Sequence, residues 1–395
     1  MSERVVKTTS CMTTHEPLEE HAAVFRNDVG GYPFYRIPAL LRVGTTLLLA
    51  FAEGRGQRSD HGRTDIVMRR SFDDGSTWSP MSVVHTELGH TIGNPAPLYD
   101  EVGDAAVLIF CRDNEEVLET RSIDGGLSWS VPMPISWSRP PEWKWVATGP
   151  PASLVLRSGR WLVPCDGLTG DRRIYQATTV FSFVLVSDDR GETWRQSALL
   201  EGGNECQAAE FAGGEVLLNM RSRDNKRLQA RSADGGATWS DAKPAKRPVI
   251  DGNAQGSIIA LHRPGSGGGG GGSSEAPSVL LATSTGPGRR VLTARSSSDG
   301  GQTWQTHAVV EPAEAAYSSL IDLGGGHVGC LYETKRESRR SADEREKAGG
   351  KGRPRTEDVL RFARLNVSAL LAAPAESERA AVDATSGGSL EKDEV

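Results

Sequence analysis

An eight-residue pattern, Ser-x-Asp-x-Gly-x-Thr-Trp, recurs along the chain and constrains its fold more than any other feature. It stands complete at Ser71–Trp78, Ser187–Trp194, Ser232–Trp239 and Ser297–Trp304. A further copy, Ser122–Trp129, carries Ser128 in the threonine position. Successive copies start 51, 65, 45 and 65 residues apart, and five of the nine tryptophans close one. A period of this size marks a repeat architecture, in which one supersecondary unit is copied and stacked.

Short runs of strand composition precede the copies: DIVMRRS, FSFVLVS, LQARS and VLTARS before the first, third, fourth and fifth. The octapeptide therefore reads as a hairpin turn. Its aspartate accepts hydrogen bonds from the turn's own N–H groups, and its glycine supplies a positive φ. Its tryptophan returns on the next strand and covers the hairpin with a large apolar face. On this reading the five aspartates are structural. Between the copies lie TLLLAFAE, AAVLIFCR, RWLVPCD, EVLLNMRS, GSIIALH, SVLLATS and HVGCLYE, all strand candidates, with almost no helical periodicity. The expected fold is all-β: a six-bladed β-propeller of four-stranded antiparallel blades, five bearing the octapeptide and one lacking it.

Residues 1–20 are expected to be a flexible N-terminal segment, 21–372 the propeller domain, and 373–395 a disordered tail. Two loop insertions interrupt the domain, a glycine-rich one over 265–276 and a charged one over 335–358. The run VLRFARLNV then resumes as a strand that closes the ring.

Composition narrows the function classes. A formal net charge of −6 argues against nucleic-acid binding through phosphate contacts. No apolar run approaches the ~18 residues of a membrane span, so no transmembrane segment is expected. The first twenty residues lack the apolar stretch of a secretory signal, which points to a cytoplasmic location. Five scattered cysteines without a C-x-x-C pair, and eight histidines without ligand spacing, predict free thiols and no metal or cofactor. The C-terminal KDEV differs from the KDEL retrieval signal, and the Asn366-Val367-Ser368 sequon is read as incidental.

Outside the repeat, a second set of residues carries chemistry. FYRIPALL holds Arg36 just ahead of a proline that fixes the backbone. FAEGR follows with Arg55, SDHGRTDIV with Asp60, NECQAAEF with Glu205, LLNMRSRDN with Arg221, GRRVLTARS with Arg290 and EAAYSSL with Tyr317. With its YRIP motif ahead of several such octapeptides (Asp-boxes), the sequence resembles the exo-α-sialidase (neuraminidase) family from about Val24 to Leu370. The resemblance implies hydrolysis of terminal α-linked sialic acids on glycoproteins, gangliosides or oligosaccharides. Sialylated glycans would then be the partners, and the oligomeric state stays open.

Carried over residue by residue, the resemblance implies that Arg36, Arg221 and Arg290 grip the sialic acid carboxylate. Arg290 is preferred to Arg289 because the family's arginine stands seven residues ahead of the box serine, here Ser297. Tyr317 matches the nucleophile, Glu205 its partner, and Asp60 the acid/base residue. Glu205 is preferred to Glu210 because it opens the family's E-(S/C)-Q run. Arg55 resembles a further substrate-lining arginine.

The residue types suit that chemistry. Sialic acid bears a carboxylate on its anomeric carbon, and three guanidinium groups hold such a planar anion through charge-assisted hydrogen bonds. A carboxylate nucleophile would meet like-charge repulsion there, whereas a tyrosine is neutral; its hydroxyl, with an ordinary pKa of ~10, needs a neighbouring base. Sialidases with a tyrosine nucleophile are a known exception to the two-carboxylate scheme of glycosidases. An arginine-rich site draws the Asp60 carboxyl pKa down, so an acidic activity optimum is expected. Trp137, Trp143 and Trp145 are read as packing residues rather than an aglycone platform. Two alternatives stand beside hydrolysis: transfer to a sugar acceptor (a trans-sialidase), and a non-catalytic propeller that binds glycans or proteins. The second predicts loss of the Tyr317 or Asp60 equivalents, and both are present.

Overall fold

The computed structural model describes residues 18–372 except 61, 171–177, 212, 262–278, 287 and 338–355. The segments 1–17 and 373–395, the 265–276 insertion and most of the 335–358 insertion lie outside the described residues. Every ladder pairing is antiparallel. The first sheet orders Phe34–Val43, Leu47–Arg55, Thr64–Ser71 and Ser82–His85. The second orders Ile92–Asp100, Ala105–Arg112, Glu116–Ser122 and Met133–Pro134. The third is built on Trp143–Thr148, Trp161–Thr169, Thr179–Ser187 and Arg195–Gln196, with Leu154–Val155 and Leu200–Glu201 as short flanking pieces. The fourth orders Gly203–Glu210, Val216–Ser222, Leu228–Ser232 and Lys243–Pro244.

The last sheet departs from expectation. It joins seven strands in the order Leu18–Arg26, Thr356–Asn366, His327–Glu337, Gln305–Gly324, Arg290–Ser297, Val279–Gly286 and Ser257–Ala260. The architecture is all-β and propeller-like, but it comprises four blade-like sheets and this longer one, not six separate blades. The cause is Gln305–Gly324, an unbroken strand of 20 residues. Its first part pairs with Arg290–Ser297 and its second with His327–Glu337, so the ladder runs on without a gap.

Hydrophobic clusters fill each junction between neighbouring sheets. Leu49, Phe51 and Met68 of the first sheet pack on Leu108 and Phe110 of the second. Ile109 and Cys111 join Trp143, Phe181 and Phe183 of the third, and Val184 and Val186 meet Leu218 and Met220 of the fourth. Leu217 meets Ile258 and Leu281 of the last sheet, whose far side returns Phe25, Leu360 and Phe362 to Tyr35 and Leu48 of the first. The clusters thus run full circle, and each fully buried Leu or Phe in them contributes about 1.5–3 kcal/mol of apolar burial. Trp137 and Trp143 belong to this packing, with Trp143 4.6 Å from Phe181 and 6.1 Å from Trp137, centroid to centroid.

All five octapeptides adopt one hydrogen-bonded turn between the third and fourth strands of a unit. In the first, Ser71 Oγ donates to Asp73 Oδ1 at 2.8 Å and accepts from the Gly75 N–H at 2.9 Å. The Thr77 N–H donates to Asp73 Oδ1 at 2.9 Å, and its hydroxyl to Oδ2. Asp124, Asp189, Asp234 and Asp299 repeat the arrangement. The box glycine is wedged against the preceding unit. A Cβ on Gly75, at φ +89°, would lie 2.1 Å from Phe362, and one on Gly126, at φ +83°, 2.8 Å from Met68.

The ring is closed by Leu18–Arg26 on Thr356–Asn366, the strand expected from VLRFARLNV. It begins three residues inside the segment 1–20. The His327–Glu337 hairpin likewise continues into the charged insertion, pairing Lys335 with Asp358 and Glu337 with Thr356.

Candidate active site

At one end of the ring the innermost strands break register at the same level. The interruptions fall between Arg36 and Ala39, Gly93 and Ala96, Gly203 and Cys206, and Ala315 and Ser318. Bulges of this kind re-aim side chains out of the strand's alternation. Ile37 and Asn94 take the left-handed region there, with φ of 55° and 58°. The side chains released at these breaks include Asn94, Glu205 and Tyr317, and Arg36 is the last residue in register before the first of them.

Tyr317 is at the centre. Its hydroxyl donates to Glu205 Oε1 and accepts from Arg221 Nη1 at 3.2 Å. The same Arg221 nitrogen donates to Glu205 Oε2 at 2.8 Å. The guanidinium groups of Arg36 and Arg289 lie 5.0 and 5.4 Å from the centroid of the tyrosine ring. Asn253 joins two of the arginines: its side-chain oxygen accepts from Arg221 Nε at 2.8 Å and its carbonyl from Arg289 Nη2 at 3.2 Å.

Across the cluster stands Asp60, on the loop after Leu47–Arg55. Its Oδ1 lies 2.7 Å from Arg55 Nη1 and 3.5 Å from Arg36 Nη1, and its side chain is 60% exposed. Two buried carboxylates brace the arginines from behind. Glu53 takes Arg55 Nε at 2.7 Å and the Asn94 N–H at 2.7 Å. Glu333 takes Arg36 through Nε at 3.2 Å and Nη2 at 3.3 Å, and the Ile37 N–H at 2.9 Å.

The charges are strongly coupled. Burial, followed by the Glu205 carboxylate, pushes the Tyr317 hydroxyl well above the ordinary phenol range, although Arg221, Arg36 and Arg289 oppose this. Burial would also raise the Glu333 carboxyl, but Arg36 and the Ile37 N–H outweigh it and hold the group below the usual range. Both residues thus enter the neutral pH range with their protons fixed, on Tyr317 and off Glu333. The partly buried Arg36 and Arg221 stay charged through Glu333 and Glu205.

Six of the seven residues singled out in the sequence meet here: Arg36, Arg55, Asp60, Glu205, Arg221 and Tyr317. Arg290 does not. Its side chain is exposed and takes no part in the cluster, and the guanidinium that faces the Tyr317 ring from this hairpin is that of Arg289. Arg289 and Val291 have φ of 61° and 57°, and the ladder slips between Arg290 and Leu292. A one-residue slip turns a side chain to the other face, so counting back from Ser297 lands one residue late. Glu53, Glu333 and Asn253 were not anticipated. Glu53 had a weak signal in its place two residues from Arg55; Glu333 and Asn253 had none, being paired across 297 and 32 residues.

Among the described residues no group of His, Cys, Asp and Glu is arranged to hold a metal ion. Cys111, Cys165, Cys206 and Cys330 are free and buried. No helix among the described residues is long and apolar enough to cross a membrane.

A family model described as a BNR repeat-like domain matches residues 45–330. Sialidase-2 of Rattus norvegicus is 31% identical over 356 residues, covering 80% of this chain and 93% of that protein. A sialidase of Micromonospora viridifaciens is 32% identical over 350 residues, covering 80% of this chain and 52% of that protein. Among solved structures, a Hadza microbial sialidase superposes with a TM-score of 0.69 at 22% identity, over 86% of this chain and 67% of that one. A leech intramolecular trans-sialidase gives 0.67 at 18% identity, over 89% and 71%. These two likenesses concern the fold.

Proposed function

Because this chain belongs to the exo-α-sialidase family, we propose that the cluster around Tyr317 is the centre at which it hydrolyses terminal α-linked sialic acids from glycans. The observation that carries the assignment is the Tyr317 hydroxyl held between Glu205 and Arg221 and overlooked by two further arginines. A buried tyrosine paired with a carboxylate is an activated nucleophile in a form that a substrate carboxylate does not repel.

Arg36, Arg221 and Arg289 bind the carboxylate of the sugar and fix its anomeric carbon above Tyr317. The tyrosine oxygen attacks that carbon while its proton passes to Glu205, and Asp60 protonates the departing glycosidic oxygen. Because the proton sits firmly on the free tyrosine, its transfer to Glu205 belongs to the attack itself. A water then gives its proton to Asp60 and attacks the same carbon, Tyr317 leaves and recovers its proton from Glu205, and configuration is retained. Arg55, which pairs with Asp60, orients the acid.

The seven-stranded sheet reads naturally as two blades sharing Gln305–Gly324, one ending in its first part and one starting in its second. With the four other sheets this makes a six-bladed ring. The reading also accounts for the blade that lacks an octapeptide, since Leu18–Arg26 supplies its outer strand.

The test is release of the fluorophore from an aryl α-sialoside by wild type and Tyr317→Phe, with the anomer formed first recorded by NMR. Turnover with first release of the α-anomer, and loss of at least a thousandfold in the variant, are expected. A folded but inert wild type, or equal rates, overturns the assignment.

A further inference from the structure

The bulge that turns Glu205 toward Tyr317 is itself gripped from the third sheet. Between the paired positions Gly203–Ser222 and Cys206–Met220, two residues, Asn204 and Glu205, stand opposite the single Arg221. A bulge of this kind takes its two side chains out of the strand's alternation. Slipped by one residue, it would present Asn204 to Tyr317 in place of the carboxylate. The base therefore depends on whatever decides which of the two faces the site.

Asn204 is held at both of its polar groups. Its side-chain amide donates to Asp166 Oδ2 at 3.0 Å, and its backbone carbonyl accepts from Ser182 Oγ at 2.5 Å. Asp166 and Ser182 pair directly across the ladder between Trp161–Thr169 and Thr179–Ser187, so their side chains share one face. Both are buried. On the site reading above, we infer that Asp166 and Ser182 are positioning residues for the reaction: through Asn204 they fix the register of the bulge, and with it the place of Glu205.

The two grips do different work. Ser182 holds a carbonyl, which any residue at this point would offer. Asp166 distinguishes the neighbours, because a carboxylate takes a strong hydrogen bond from an amide and repels a second carboxylate. It thus favours the observed register and opposes the slipped one, in which Glu205 would turn toward it. The same negative charge lies near enough to Arg221 to help keep that guanidinium charged. The consequence is chemical, since Glu205 takes the tyrosine proton only within hydrogen-bond reach of the hydroxyl.

The experiment measures kcat and KM of the full chain on an aryl α-sialoside, with folding checked by circular dichroism. The variants are Asn204→Ala, Asp166→Ala, the two combined, and Asp166→Asn. Each single alanine variant is expected to lower kcat roughly thirtyfold, with KM changed less than about threefold because Arg36 and Arg289 are untouched. The combined variant should be no worse than the poorer single one, since both remove the same hydrogen bond. Asp166→Asn keeps an acceptor oxygen for Asn204 and should stay within about fivefold of wild type. A kcat within about twofold of wild type in Asn204→Ala overturns the inference, as do losses that multiply in the combined variant. Asn204 is only partly buried, so its variant decides the matter even where Asp166→Ala fails to fold. A folded wild type inert on the aryl sialoside overturns the site reading and the inference together, whereas an active one leaves that reading standing whatever the variants show.

Discussion

The hydroxyl of Thr91 donates to the carbonyl of Gly62 across 2.9 Å, tying the edge of the second sheet to the loop that carries Asp60. A backbone bridge between Thr64 and Thr91 runs beside it. Thr91 is in turn held by Asp113, which accepts its N–H at 2.8 Å and pairs with His90. Removing the hydroxyl in Thr91→Val should loosen the acid, not the carboxylate grip. The expected result is a roughly fivefold lower kcat on sialyllactose, the worth of one hydrogen bond, with KM little changed. An aryl sialoside, whose leaving group needs little protonation, should be affected less, and steady-state kinetics on the two substrates would check this.

The third arginine is decided by a direct comparison. If Arg289 grips the substrate carboxylate as proposed, Arg289→Ala should cost kcat/KM roughly a hundredfold. Arg290→Ala, at an exposed position, should stay within about twofold. Parallel kinetics on an aryl sialoside settles which residue belongs to the site.

Glu333 holds Arg36 by two hydrogen bonds and the Ile37 backbone by a third. Glu333→Gln keeps the shape and removes the closer of the two carboxylates facing the partly buried Arg36 guanidinium, leaving it only the more exposed Asp60 at 3.5 Å. A loss of about 2 kcal/mol is expected, read as a roughly thirtyfold lower kcat/KM together with a lower Tm. Glu333→Asp should not restore it, because the shorter side chain does not span both Arg36 nitrogens.

The octapeptides predict a pH signature in stability. The Thr238 hydroxyl, then the Thr238 N–H, hold the Asp234 carboxyl at about 2, below its ordinary 3.8. A folded value below the unfolded one stabilises fully above the unfolded value and is lost as pH falls through the folded one. The Tm gap between wild type and Asp234→Asn should therefore be constant from pH 7 to about 5, roughly 2 °C, and close toward pH 2. The aspartates of the other four octapeptides are shifted the same way, so acid should strike all five turns together.

What the sequence made legible was local. The octapeptide writes its turn within eight residues, and the strands beside it, such as Ala105–Arg112, stand out by composition alone. Arg36, Glu205 and Tyr317 stood in recognisable runs, so they needed no knowledge of the ring. Arg289 was missed because its facing depends on the bulge at Val291, which composition does not announce. Glu333 was missed because its role exists only once Arg36, far away in the chain, is laid beside it. The blade count differed for a similar reason, since nothing local shows that one 20-residue strand serves two neighbours.

The pairing of Phe25 with Leu360 has a consequence in time. Those partners are separated by 335 residues, so the earliest of the described strands to be made is among the last to find its place. At about 5–20 residues per second, a ribosome needs roughly 20–70 s to deliver the second after the first. Throughout that interval one edge of the growing stack has no neighbour, and an open edge is an invitation to foreign strands.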